Sequence, residues 1–533
     1  MTLDQLYFLL FLCSFIKSEG SFSDKQLLRR VKVMPTTAIK SGKLDGAYLV
    51  KSIIGIFIML IFRFIPAPNP ITPAGMALIG EFIGMIFLWV FVDMMWPTFL
   101  GMVLFGLDAL VIYPNSVQLS GVYEAGMQSF GNWITVFVLG TMLICYCLEE
   151  VGTLRRICMK FITSKTARQS PWKFTFMFML AGLVIALFLD VTPAQFFMLG
   201  IAHEMFNILG FKKGDRWPRY VVIMITFSAV IGFAMTPICH TLPILWMSIY
   251  SAITQTPASI ASYIAAGLPV GAIIWILMMI WMKKVIKVDK DVPQLDNIDW
   301  KRIEEMKPGK METREKYVIV ISILLLAAWI VPSLISLVNP ANPIYLFMSR
   351  LSDSSFLFLA IVLLAIVKFD GKPVLDLTVA FQKINWLPVV LLAGIMMVAG
   401  AMGEEPTGIP AAISMYIVPL VKGMSPYAMV ALICVLCVIL TNIANNVPVG
   451  IIFVSAGVPM CLELGINPFP LALGVCVAAN LAFTIPPAYV PVGVAYADPY
   501  CNGKTVFKNG LYMTVVSIIV TALLVYPIAN LVS

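Results

Sequence analysis

The chain has 533 residues, 60% of them hydrophobic and only 12% charged, with a mean hydropathy of +0.93 and a formal charge of +8. Soluble globular proteins are about a quarter charged, so a soluble class is excluded, and repeated apolar runs of about twenty residues read as membrane spans. The positive charge sits in short segments between those runs, as the positive-inside rule expects, and gives no reason to expect a nucleic-acid partner.

Residues 1–45 are basic, with an apolar patch at 6–16 that is too short to span and lacks the basic lead of a cleaved signal peptide. Arg29, Arg30, Lys32, Lys40 and Lys43 are expected to keep this segment in the cytoplasm, with the patch as an interfacial amphipathic helix. Spans are expected at 47–65, 75–91 and 97–112. The loop 113–131 has no lysine or arginine and is expected outside. A fourth span, 132–148, ends at Glu149 and Glu150 and is followed by Arg155, Arg156 and Lys160.

The stretch 174–208 has basic flanks on both sides, Lys165, Arg168 and Lys173 before it and Lys212, Lys213, Arg216 and Arg219 after it. A single crossing would leave one flank outside, against the charge rule. A re-entrant hairpin satisfies both flanks; so would two full spans, but each arm is short. The hairpin's middle is D-V-T-P at 190–193, a charge and a helix breaker where a turn is needed. Residues 220–250 carry no charge but contain T-P-I-C-H-T-L-P at 236–243, which predicts an unwound helix centre. A span at 263–282 and a polar connector, 283–316, close this half.

The second half repeats the plan. Spans are expected at 317–337, 356–367 and 387–402, with Lys368, Lys372 and Lys383 in a cytoplasmic loop. A hairpin entering from outside covers 427–462, with L-T-N-I-A-N-N-V-P-V-G at 440–450 as its polar middle. Residues 469–497 form a span interrupted by T-I-P-P-A at 484–488, and 511–531 is the last span, leaving the C-terminus outside. The expected fold is an all-α polytopic membrane protein of about eleven transmembrane helices plus two re-entrant hairpins. Its halves, 46–282 and 317–533, match in kind and order with opposite predicted orientation. Each has a span opening on Asn-Trp (Asn132-Trp133, Asn385-Trp386) and ending near paired glutamates (Glu149-Glu150, Glu404-Glu405). Inverted repeats with paired broken elements point to an alternating-access transporter with its site at the midplane.

The four interruptions carry the candidate chemistry. Helix ends there expose N–H groups to anions and C=O groups to cations. No lysine or arginine lies between Tyr220 and Met282 or between Gly423 and Asn502, so an anionic cargo would be held by dipoles, amides and bound cations. Candidate cargo contacts are Thr192, Thr236, His240, Asn442, Asn445, Pro486 and Pro487. Candidate cation ligands are Asp190, Thr441, Asn442 and Thr484, because oxygen-rich tips suit a hard cation such as sodium. Each has a plainer alternative: a cap for Asp190, packing for His240, turn formation for the asparagines, a kink for the prolines. Asn446 belongs to the same polar cluster. Arg63, Glu81 and Lys51 lie in spans and read as structural pairs or snorkelling groups. Cys434 and Cys437 form a C-x-x-C inside an apolar run and read as packing residues, and two histidines in the whole chain exclude a histidine-rich zinc site. His203-Glu204 lacks the second histidine of a metalloprotease motif, and no enzyme is expected.

From residue 45 to the end the chain resembles the divalent anion:sodium symporters, the sodium/dicarboxylate and citrate carriers of the ion transporter superfamily. The likeness rests on I-T-P-A-G-M-A-L-I-G at 71–80, F-G-N-W-I-T-V-F-V-L-G at 130–140, I-N-W-L-P-V-V-L-L-A-G at 384–394, and the two hairpins. Members of that family carry Ser-Asn-Thr at each hairpin tip and a Thr-Pro-Pro-like turn in each broken helix. Here the second tip reads Thr441-Asn442-Ile443 and the first Asp190-Val191-Thr192, keeping only the threonine. The resemblance implies an elevator-type homodimer in a lipid bilayer, carrying small organic anions with sodium and needing no cofactor. A proton-coupled carrier or a relative with another cargo stays open, with Asp190 as the discriminating residue; an ion channel is a more distant alternative.

Overall fold

Hydroxyl–proline pairs open several of the helices. Thr72 Oγ1 accepts the Gly75 N–H at 3.2 Å ahead of helix Pro73–Phe91. Ser170 Oγ accepts from Lys173 at 3.2 Å ahead of Pro171–Ala186, and Ser425 Oγ from Ala428 at 3.2 Å ahead of Pro426–Thr441. Each hydroxyl takes an N–H that has no partner inside the helix, and each proline stands where its missing N–H costs nothing. The last two helices begin the two expected hairpins, so both start with the same Ser-Pro device.

The computed structural model describes residues 46–112 and 129–532, apart from positions 239, 257, 297, 340–341, 352, 385, 403, 413–414, 417, 422 and 487. The expected N-terminal segment and Pro487 lie outside the described residues. Apart from a two-stranded antiparallel ribbon, Lys368–Phe369 with Lys372–Pro373, the described elements are helical. Among the described residues six helices are long and apolar enough to cross a membrane: Gly46–Phe64, Arg216–Met235, Ile260–Ile286, Thr313–Pro332, Asn446–Glu463 and Gly503–Val532. A pair bent by 61°, Thr135–Glu150 with Thr153–Gln169, makes a seventh if counted as one span. The sequence count of about eleven also draws on shorter apolar helices such as Pro73–Trp89 and Met95–Ala109, which fit a bilayer only with local thinning or snorkelling ends.

Residues Val50–Ser533 make one compact unit. Within it the two hairpin helix pairs, Pro171–Ala186 with Val191–Ile208 and Pro426–Thr441 with Asn446–Glu463, pack around Arg216–Met235 and Phe469–Asn480. Ile260–Trp281 and Gly503–Val532 pack against this group. A second group joins Pro73–Phe91, Met95–Ile112 and Leu387–Met402, and a third joins Trp133–Glu150, Thr313–Val338 and Asp353–Ile366. Helix Thr241–Thr254 links the groups, lying on both Leu387–Met402 and Asn446–Glu463. Close approaches use small residues, as membrane helices require: a Cβ on Gly232 would stand 2.6 Å from that of Ala186.

The polar connector is tied down by arginines of the helix Thr153–Ile162, which follows the fourth expected span. Arg156 forks onto Glu315 at 2.6 and 2.7 Å and donates to the Gly309 carbonyl at 2.9 Å. Arg155 Nε donates to the Met306 carbonyl at 3.0 Å, and the Phe174 and Trp300 rings meet edge to face. Arg168, and then Lys307, hold the exposed Glu304 carboxyl below the usual carboxylate range.

Candidate functional site

In the first half the hairpin turns at residues 187–190, with Asp190 as N-cap of Val191–Ile208. The helix Arg216–Met235 stops at Thr236 and resumes at Thr241, so residues 236–240 form the break. The break is bonded to the tip. Thr236 Oγ1 donates to the Leu187 carbonyl at 2.9 Å. His240, fully buried, sets Nε2 3.0 Å from the Leu189 carbonyl and Nδ1 2.6 Å from the carbonyl of Thr236. Pro243, expected to close the interruption, instead sits in the first turn of the next helix, where its lost N–H has no intrahelical partner anyway. Thr192 is half-buried in the first turn of Val191–Ile208.

The second half makes the same joint with its roles reversed. Here the tip residue reaches into the break. Asn442 Nδ2 donates to the carbonyls of Val438 at 2.9 Å and Leu481 at 2.8 Å. Its Oδ1 accepts from the Phe483 N–H at 2.8 Å and from Thr514 Oγ1 at 3.0 Å. Thr484 Oγ1 donates back to the Asn442 carbonyl at 2.6 Å, and Thr441 Oγ1 donates to Ala479 O at 2.7 Å. An amide side chain has two donors and two acceptor positions, so in this conformation Asn442 is fully occupied by protein. Asn445 caps Asn446–Glu463 by accepting the Val447 N–H at 3.0 Å. The break is wider than expected: helix Phe469–Asn480 ends early, and helix Val490–Ala497 begins after Tyr489. Pro486 lies exposed within it.

The two halves meet. Gln195 of the first hairpin is fully buried and donates to Thr226 Oγ1 and to the Pro491 carbonyl of the second broken helix, both at 2.8 Å. Phe227 and Phe483 pack edge to face at 5.0 Å across the same seam. Tyr489 is buried between the halves, its ring 6.3 Å from Phe233, which in turn lies 4.6 Å from His240. The Tyr489 hydroxyl has no well-formed hydrogen bond, and the charge of Asp190 and the amide of Asn446 both act on it. The Asn446 N–H donates to the Ala488 carbonyl at 3.3 Å. Both tips and both breaks therefore gather around Asp190, His240, Asn446 and Tyr489. Three of the four helices that start there, at Val191, Thr241 and Val490, have no side-chain cap at their N-termini. Such ends present N–H groups and the positive end of the helix dipole.

Motif reading misses Tyr489, Gln195 and Thr514. Each is a hydrogen-bonding side chain in an apolar run, a signal that was present but not concentrated enough to form a motif. Of the singled-out cysteines, Cys434 and Cys437 are free and buried, with Cys437 Sγ against the Val475 carbonyl at 3.7 Å, as packing residues would be.

A family model described as citrate transporter matches residues 52–451. The chain belongs to the citrate transporter family. It is accordingly a transporter of the membrane and not an enzyme. The transporter is 23% identical over 417 residues to a sodium-dependent dicarboxylate transporter, SdcS, of Staphylococcus saprophyticus, covering 76% of this chain and 78% of that protein. It is 26% identical over 242 residues, 44% of each chain, to sodium-dependent high-affinity dicarboxylate transporter 2 of Caenorhabditis elegans. Among solved structures, the Alcanivorax borkumensis YdaH transporter aligns with a TM-score of 0.53 at 15% identity, covering 76% of this chain and 87% of that one. Neisseria gonorrhoeae MtrF aligns at 0.54 and 14% identity, covering 91% and 95%. Likeness at that level speaks to the fold.

Proposed function

We propose that the transporter is a secondary carrier that couples sodium to the symport of small di- and tricarboxylate anions. The observation that carries this reading is the gathering of three uncapped helix N-termini around buried hydroxyl and amide groups. In a region without lysine or arginine those N–H groups are the anion-binding equipment. Asp190, with the carbonyls of the unwound segments, supplies the oxygens for sodium. The names of the curated relatives support the same cargo and ion. In this reading 46–282 and 317–533 are inverted repeats, 283–316 is a cytoplasmic linker, the N-terminus is cytoplasmic and the C-terminus is not. The hairpins re-enter the membrane, and they ride with their broken helices as the moving part of an elevator-type homodimer.

One feature favours proton coupling as a second reading. Both nitrogens of His240 face carbonyl oxygens, and a neutral imidazole has only one N–H. An imidazolium would satisfy both, and because burying its charge is costly, it is a group that can release its proton as the surroundings change. The test is uptake of labelled succinate and citrate into proteoliposomes under an imposed sodium gradient or an imposed proton gradient. Sodium-driven uptake supports the first reading. Proton-driven uptake that disappears in Asp190→Asn or His240→Gln supports the second. No uptake of either anion from folded protein refutes the proposed cargo.

A further inference from the structure

Away from the tips, three charged side chains meet where Gly46–Phe64, Pro73–Phe91 and Met95–Ile112 pack together. Arg63 Nη1 lies 2.5 Å from Asp108 Oδ1, and Arg63 Nη2 pairs with Glu81 Oε1. Glu81 is fully buried and Asp108 is 8% exposed. Each carboxyl gives one oxygen to the guanidinium. The other oxygens, Glu81 Oε2 and Asp108 Oδ2, are buried with no hydrogen-bond partner. Both carboxyl groups lie against the same guanidinium, so their charges bear on each other.

The charges do not balance. Two carboxylates against one guanidinium leave a net negative charge inside the helix packing. Two carboxylates that share a site resist ionising together. Other charges are near in sequence or packing: Lys51 on the first helix, Asp93 in the turn before Met95, Glu404 and Glu405 beside the turn that packs on Pro73–Phe91, and Glu463 at the far end of Asn446–Glu463. Leu387–Met402, which packs on both helices, carries no ionisable group. Asp93 is already engaged with the Met95 N–H at 2.6 Å. Among the described residues, the charged side chain paired with both Glu81 and Asp108 is Arg63.

We propose that Glu81 and Asp108 bind one proton between them, making with Arg63 a buried proton site separate from the cargo site. One proton brings the cluster to neutrality. It also turns an orphaned acceptor into an O–H that the neighbouring carboxylate accepts. Among the described residues no group of three or more His, Cys, Asp or Glu side chains could hold a metal ion, and Arg63 already takes one oxygen of each carboxyl, so the ligand proposed is the proton. Arg63, whose side chain is 21% exposed, marks the edge by which the proton reaches the pair. The site makes the packing of these three helices sensitive to pH, whatever ion drives transport.

Infrared spectroscopy of the purified full-length protein in lipid nanodiscs tests this without any transport assay. Wild type is expected to show the carbonyl stretch of a protonated carboxylic acid, shifted in heavy water and lost on raising the pH. Glu81→Gln and Asp108→Asn are each expected to lack that band, since one carboxylate facing Arg63 is an ordinary pair. Should one variant fold poorly, the other decides, and Asp190→Asn, which is expected to keep the band, excludes that carboxyl as its source. A native state that keeps a proton the unfolded chain releases loses stability as pH rises, so its melting temperature must fall with pH in step with the band. No heavy-water-sensitive acid band between about pH 5 and pH 8, a band unchanged in both variants, or a band removed by sodium at constant pH would each overturn the proposal.

Discussion

Replacing Asn442 with alanine removes four hydrogen bonds at once, to Val438, Leu481, Phe483 and Thr514. Two of the partners have other bonds or relief: Thr514 also donates to the Gly510 carbonyl, and the Val438 carbonyl lies in a regular helix. The other two, the Leu481 carbonyl and the Phe483 N–H, belong to fully buried residues in an unwound segment. A buried backbone group left unpaired costs about 1–3 kcal/mol, so the variant should be about 4 kcal/mol less stable. Asn442→Asp keeps the shape but turns both donors into an acceptor facing two carbonyls, and should lose at least as much. The assay is thermal unfolding of purified, ligand-free protein, with monodispersity checked before heating. If Asn442 serves only the cargo, ligand-free stability will not move. A change under about 0.5 kcal/mol for the alanine variant would refute the argument that this asparagine holds the second break open.

A Cβ on Gly510 would approach the Phe483 carbonyl oxygen to 2.3 Å, and that neighbour is backbone; Gly510→Ala should cost about 1–3 kcal/mol, read by the same melt, and a wild-type melt would mean the last helix is not wedged against the break. Tyr489→Phe removes a buried hydroxyl without a well-formed bond; calorimetry should find weaker cargo or cation binding with stability within about 0.5 kcal/mol, and a matching loss of stability would make the hydroxyl structural. Arg156→Ala strands the buried Glu315 carboxylate and should cost about 3 kcal/mol, while Arg156→Lys restores only part because an ammonium cannot fork; equal melts for the two variants would contradict the forked geometry. Glu304 is held below the ordinary carboxylate range by Arg168 and Lys307, so its contribution is present above about pH 4.3 and is lost as pH falls through the lower folded value. Limited proteolysis should then cut residues 283–316 faster in acid, and Glu304→Gln should flatten that dependence.

The reach of local sequence shows best in the two breaks. At the first, the helix stops at Met235, directly before the Thr-Pro of the motif, because proline cannot continue it from the preceding residue. At the second, the helix stops at Asn480, before Leu481, Ala482 and Phe483, three residues with nothing local to end a helix. What unwinds them is distant in sequence. Asn442 takes the Leu481 carbonyl and the Phe483 N–H, Tyr496 donates to the Thr484 carbonyl at 2.7 Å, and the bare backbone of Gly510 leaves room for Phe483. A pattern of prolines could place the first break and the centre of the second, but not the early edge at which the second begins.

The sequence by itself determined that this is an all-helical membrane protein, where its long apolar helices and both hairpin turns fall, and to which transporter family it belongs. Those properties follow from hydrophobic run lengths, hydroxyl–proline starts and a few short motifs, all written in neighbouring residues. Only the tertiary structure decided which polar atoms are consumed and which remain. It occupied every position of Asn442, set both nitrogens of His240 against carbonyls, packed Tyr489 on Phe233, and closed two carboxyl groups on a single arginine at Glu81, Asp108 and Arg63. The physical reason is that a hydrogen bond or a buried charge is settled by its partner, and in this chain the deciding partners lie tens to hundreds of residues away.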